Sequence, residues 1–180
     1  IPLRLVGSEM CIRDRLDSLQ AAVLRIKLPL LDDWTNQRAQ NAIRYTEMFN
    51  HCELHDAITS PKIDTRGRHV WNQYVIRVAD GKRDALREHL TASGVGTEIY
   101  YPVPLHLQKC FDNFGWKMGD LPITEYAAKE TLALPIFAEL TPAEQATVVG
   151  RIAEFFGRSP VPEEFEGMDK GSDAIGQPQH

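Results

Sequence analysis

Cysteine is scarce: Cys11, Cys52 and Cys110 are the only three in a chain of 180 residues. So few cannot build a disulfide framework, and they point to a reducing compartment and a cytoplasmic protein. Long apolar runs are missing too. None approaches the roughly 20 residues that a membrane-spanning helix requires, and no secretory signal is visible. Nor is there a basic excess, since 20 Lys and Arg stand against 25 Asp and Glu for a formal net charge of −5. That balance gives no support to nucleic-acid binding, which needs a concentrated basic face. Internal repeats are absent.

The opening stretch lacks a period. LVGSEMCIRDR, Leu5–Arg15, follows neither helical nor strand spacing, yet it runs directly into an amphipathic segment. Back-translation of Leu5–Asp14 matches one reading frame of a common transposase sequencing adapter. The adapter's last bases force Arg or Ser next, and Arg15 satisfies that. Residues 1–15 are therefore expected to be adapter translation rather than native sequence. On that reading the natural protein extends upstream of Leu16, and this chain is its C-terminal piece.

What is present is a run of well-marked elements. Leu19, Val23, Ile26 and Leu30 follow helical spacing until Pro29 breaks or kinks the helix. A second helix is expected from Asp32 or Asp33, either able to cap it, with Trp34, Ala42, Tyr45 and Phe49 on one side. Residues 50–68 read as a polar loop with room for a short strand. HVWNQYVIRV, His69–Val78, alternates and is rich in β-branched and aromatic residues, so it reads as a strand. Asp80-Gly81 makes the turn, and a helix follows with Leu86 and Leu90 inward and Gly94 as its left-handed stop. Gly96–Tyr101 reads as a further strand, and PITEYAAKETLALPIF as a helix ended by Pro135. In TPAEQ, Thr141 is an N-cap, Pro142 the first helical residue and Glu144 the partner of a capping box. Here Val148, Ile152 and Phe155 face inward and Gly157 stops the helix. The periods predict a small α+β domain. Residues 16–50 form lead-in helices, 51–157 the domain, and 158–180 a tail whose Pro, Gly and acidic content predicts disorder.

Five segments in order carry a resemblance: RLDSLQAAVLRIKLPLLDDW, HVWNQYVIRV, RDALREHLTASGVGTEIYYPVPLHLQ, GDLPITEYAAKETLALPIF and LTPAEQATVVGRI. Together they resemble the C-terminal third of the DegT/DnrJ/StrS sugar aminotransferases, over Leu16 to about Phe156. The resemblance implies the C-terminal small domain and lead-in helices of a fold-type I, aspartate-aminotransferase-like enzyme that uses pyridoxal 5'-phosphate. It also implies a nucleotide-linked keto sugar as substrate, glutamate as amino donor and a homodimer. That chemistry needs a lysine that forms a Schiff base with the cofactor and carries the proton. In the family this lysine lies upstream of the LDxLQAA helix. Lys27, Lys62, Lys82, Lys109, Lys117, Lys129 and Lys170 all sit in segments that do not match its motif, so the catalytic centre is expected to be missing here. Some family members are sugar dehydratases in which histidine replaces the lysine, and that alternative stays open. So does a non-catalytic module for sugar-nucleotide binding or dimerisation.

Tyr100, Tyr101 and Pro102 match the family's HYP block, which borders the sugar pocket near the subunit interface. The family often has His where Tyr100 stands, and a phenol does not titrate near neutrality as imidazole does. His106, after the proline-stiffened PVPL, is a further substrate-binding candidate, with backbone-bonded loop fixing as the plainer role. His69 is another, against a buried, hydrogen-bonded core histidine. Alternation is taken to send Trp71 to the opposite face from His69. Asn72 and Gln73 read simply as strand residues. Arg15 would occupy the family's arginine before the LDxLQAA helix, but the adapter dictates it, so the match carries no weight. In HCELH, His51 and His55 with Cys52 or Glu53 suggest a metal site, opposed by the plainer reading as a solvated loop and by the wrong order for H-E-x-x-H.

Overall fold

The structure, a computed structural model, describes residues 16–63, 66–165 and 167. The adapter-like stretch, with Arg15, and the tail beyond residue 167 lie outside the described residues. Two lead-in helices come first: α1 (Ser18–Lys27) and α2 (Leu31–His51), joined by a 3-10 turn at Leu28–Leu30. Pro29 sits in that turn, where its missing N–H and fixed φ break the α-helical ladder. Neither Asp32 nor Asp33 caps α2. The helix grows straight out of the turn, with Leu30 at its N-cap, and both aspartates fall in its first turn, where their charge faces the positive end of the helix dipole.

The sheet has three antiparallel strands in the order β1 (Ile58–Thr59), β2 (Tyr74–Val78), β3 (Thr131–Leu134). Ile58 pairs with Val78, and Tyr74 with Leu134. Alternation along β2 buries Tyr74, Ile76 and Val78. Between β2 and β3 come α3 (Arg83–Ala92) and α4 (Pro122–Glu130), and α5 (Pro142–Phe156) follows β3. A core of Tyr45, Met48, Tyr74, Ile76, Leu86, Leu90, Val149 and Ile152 is almost fully dry. At the β2–α3 turn Asp80 and Gly81 both have positive φ, 59° and 66°, as the expected turn requires. Gly94, at φ 78°, follows α3, and the Thr141–Glu144 capping box is formed.

Three expectations are corrected. The stretch His69–Gln73 is not strand. His69 is exposed rather than buried, its Nδ1 accepts the Trp71 N–H at 3.0 Å, and Trp71 has φ 50°. That local bond holds the backbone in a turn until Tyr74. The two rings lie 4.1 Å apart rather than on opposite faces, and residues two apart share a face even in a true strand. Second, Gly96–Tyr101 is not a full strand and contributes, among the described residues, the one bridge from Glu98 to Ala133. Third, the helix from Pro122 stops at Glu130, five residues before Pro135, and the chain turns into β3. Arg83 explains the stop. Its Nη1 donates to the carbonyls of Ala128 and Thr131 at 3.1 and 3.2 Å, capping the negative end of α4 with a cation.

The beginning of the tail is held in place. Arg158 donates to Asp56, and Phe165, in a 3-10 turn at Glu163–Phe165, is buried with its ring 5.0 Å from that of His51. His51 thus ends α2 against an aromatic ring, and among the described residues no three His, Cys, Asp or Glu side chains gather as a metal site.

Candidate functional site

The Glu98–Ala133 bridge decides where the site lies. Glu98 N–H donates to Ala133 O at 3.1 Å and Ala133 N–H to Glu98 O at 2.8 Å, which fastens the GTEIYY segment along β3. Because Tyr74 is opposite Leu134, the residues entering β2 come to the same end of the sheet. Between them lies a groove of about 350 Å3, lined by Asn72, Gln73, Thr97, Glu98 and Tyr100 together with residues 133–136.

Its polar surface consists of two amides, a phenol and one carboxylate, with one hydroxyl set into the wall behind them. Thr97 Oγ1 is shielded from solvent and has no hydrogen-bond partner among the described residues, an arrangement proteins ordinarily avoid. Glu98 Oε1 accepts the N–H of Ile99 at 3.0 Å, so the carboxylate is turned partly toward its own backbone. Such a surface can donate to and accept from neutral hydroxyl groups.

The five residues read from the sequence separate. Tyr100 lines the groove, half exposed. Tyr101 and Pro102 are exposed just beyond it. His106 is buried behind the segment, bonded to Glu125. His69 lines a neighbouring cleft with Arg66, Gly67 and Arg68. Asn72, Gln73, Thr97 and Glu98 also line this candidate groove, and none of them was among the candidates read from the sequence. The signal was a pair of amides placed just after a turn-forming aromatic, hidden by reading that stretch as regular strand.

Pyridoxal phosphate does not fit the groove by its own residues. Among the described residues no Lys or Arg lines it, so they offer no amine to condense with the aldehyde and no cation to meet the phosphate. The groove can serve as one wall of a pocket, for the part of a ligand that carries hydroxyl groups.

The profile of the DegT/DnrJ/EryC1/StrS aminotransferase family matches residues 4–153. The chain belongs to this family. The matched range begins at residue 4 and runs through the whole adapter-like stretch. A pleiotropic regulatory protein of Geobacillus stearothermophilus is 48% identical over 143 residues, covering 79% of this chain and 37% of that protein. The dTDP-3-amino-3,4,6-trideoxy-alpha-D-glucose transaminase of Streptomyces venezuelae is 35% identical over 145 residues, 80% of this chain and 37% of its own length. Among solved structures, S. venezuelae DesV in complex with a ketimine intermediate aligns with a TM-score of 0.73 at 34% identity, over 81% of this chain and 38% of that one. The chain thus spans somewhat over a third of the length of these relatives. Its fold is the α+β small domain, with lead-in helices, of a fold-type I, aspartate-aminotransferase-like family member.

Proposed function

We propose that this chain is the C-terminal lobe of a pyridoxal-phosphate-dependent aminotransferase acting on a nucleotide-linked keto sugar. Glutamate is the amino donor, and the working form is a cytoplasmic homodimer. The observation that carries the reading is the groove of neutral hydrogen-bonding groups built on the GTEIYY segment, with Thr97 Oγ1 buried and unpartnered in its wall. The names of relatives as transaminases of dTDP-linked sugars support it. When bound, the cofactor would supply the electron sink for moving an amino group. This chain's own residues bind and orient. Thr97, Asn72 and Gln73 hold sugar hydroxyls, Tyr100 donates its phenol proton at the mouth, and Glu98 accepts from a hydroxyl. The lysine of the chemistry is carried upstream of the LDxLQAA helix.

A non-catalytic module for sugar-nucleotide binding is the second reading, favoured by the lack of an amine in the groove. Two measurements on the chain test these readings. On adding pyridoxal phosphate, no visible absorption band that glutamate discharges should form. A stable band of that kind would contradict the placement of the lysine. Calorimetric titration with dTDP-glucose should give measurable heat, lost in Thr97→Val. No heat in the wild-type chain would sink the binding role of the groove under both readings.

A further inference from the structure

Beside the groove, Arg66, Gly67, Arg68 and His69 line a second cleft of about 460 Å3. In a chain of net charge −5, two guanidinium groups and an imidazole thus share four consecutive residues. The loop is held against α2 by directed bonds. Arg68 Nη1 donates to Asp32 Oδ1 at 2.9 Å and Nη2 to Asn36 Oδ1 at 3.2 Å. Arg38 adds a third guanidinium from α2, its Nε donating to Val70 O at 3.0 Å and its Nη2 to Thr35 Oγ1 at 3.0 Å. The His69 ring rests against Trp71. Asp32 is the carboxylate that faces Arg68, and its side chain is 81% exposed. An exposed pair of this kind contributes little, because water screens it, so a multiply charged anion can displace it.

We propose that this loop is an anion subsite, taking the diphosphate of the ligand whose sugar ring lies in the groove. The inference rests on the reading under Proposed function and deepens it. The groove is not built for phosphate itself, since among the described residues its one charge is the Glu98 carboxylate. A nucleotide sugar seated there must send its diphosphate to cations close by. His69 in the cleft and Asn72 in the groove are three residues apart, at most about 11 Å along the chain, which is the scale of a hexosyl diphosphate. Guanidinium groups bind phosphate oxygens through two parallel N–H donors, and Gly67 between the arginines presents no side chain to block the approach.

The test uses the 180-residue chain with three probes: inorganic pyrophosphate, glucose and UDP-glucose. In the wild-type chain, pyrophosphate should move the Arg66 and Arg68 Nε–H resonances and leave that of Arg83 in place. Its affinity should fall at least tenfold in Arg66→Ala/Arg68→Ala and stay the same in Thr97→Val. UDP-glucose should bind tighter than either part and lose affinity in both variants. Pyrophosphate that leaves the loop resonances unmoved in the wild type overturns the subsite without recourse to any variant, as does equal affinity in a folded double variant. If pyrophosphate binds at the loop but UDP-glucose binds no tighter, the anion site stands and the sugar-nucleotide reading falls.

Discussion

His106 Nε2 donates to Glu125 Oε1 across 3.0 Å, and both side chains are buried. A carboxylate oxygen only accepts, so the proton of this bond sits on the imidazole. Glu125 also accepts the Gly119 N–H, at 2.8 Å to one oxygen and 3.0 Å to the other, and the Leu121 N–H at 3.4 Å. One carboxylate therefore ties the 3-10 turn at Leu105–Leu107, the loop at Gly119 and the first turn of α4 together. That turn continues directly from the YYPVP stretch, so the pair fixes the course of the chain leaving the groove.

The first prediction concerns pH. Burial raises the pKa of the Glu125 carboxyl, but the N–H groups of Gly119, His106 and Leu121 outweigh it and hold the group below the usual glutamate value. The folded pKa thus lies below the unfolded one, and the unfolded chain binds the extra proton between the two. The stability that Glu125 contributes is complete above the ordinary value of 4.5 and is lost as pH falls through the folded value. Urea midpoints measured from pH 6 down to pH 3 should therefore fall more steeply for the wild type than for Glu125→Gln. Parallel curves would mean that the carboxylate charge is not what holds the turn.

The second prediction concerns Gln145, fully buried on α5. Its Nε2 donates to Asn41 O at 2.8 Å, and its Oε1 accepts from Arg44 Nη1 at 2.7 Å. Arg44 also bonds Asn41 Oδ1, and Asn41 Nδ2 donates to Phe137 O. The network joins α2, α5 and the segment after β3. Gln145→Leu keeps the volume but leaves a buried carbonyl and a half-buried guanidinium short of a partner, so it should cost about 1–3 kcal/mol by chemical denaturation. Leu should be no better than Ala if polar satisfaction rather than packing decides. A Leu variant as stable as wild type would show that water satisfies these groups.

The third prediction concerns Thr141. Its Oγ1 accepts the Glu144 N–H at 3.3 Å, and Glu144 Oε2 accepts the Thr141 N–H at 2.8 Å. Thr141→Ala should cost about 1 kcal/mol, read as a lower urea midpoint at unchanged slope. Thr141→Ser should retain most of the stability, because the hydroxyl is what caps.

That capping box marks what the sequence disclosed well. Local chemistry was legible: the Thr141-Pro142 start, the Asp80-Gly81 turn, Pro29 as a breaker and Gly157 as a left-handed stop at φ 65° each depend on residues within one turn of chain. Long-range partners were not. The α4-to-β3 switch at Thr131 depends on Arg83, far back in the chain, and the strand pattern of HVWNQY was overruled by one His69-to-Trp71 bond. The groove fared the same way. Tyr100 was visible in its block, but Thr97 and Asn72 come to line one groove because Glu98 bridges Ala133 while Tyr74 pairs with Leu134. His106 was visible as well, and its partner Glu125 was not, because nothing in the spacing joins a proline-rich loop to a helix's first turn.

The last prediction concerns α1, which buries none of its ten residues. Leu19 and Ile26 are 74% and 75% exposed, and Leu16, Val23, Leu24 and Leu28 are exposed as well. An isolated helix shorter than about 12–15 residues is marginal in water, because nucleation is costly and too few bonds follow it. The Asp17 cap and the basic last turn, Arg25 and Lys27, contribute a few tenths of a kcal/mol to about 1 kcal/mol each, short of what packing supplies elsewhere. Pro29 then weakens the coupling to α2, whose own buried residues run from Thr35 to Phe49. Amide hydrogen exchange on the dilute chain should therefore show little protection from Leu19 to Lys27. Protection should rise through α2 and peak near Tyr45, Met48 and Phe49, with α5 close to the global value. Raising the concentration separates the two sources of order: exchange that slows in α1 alone would mean that another copy covers the apolar stripe. Protection of α1 that is strong and independent of concentration would contradict the exposed helix.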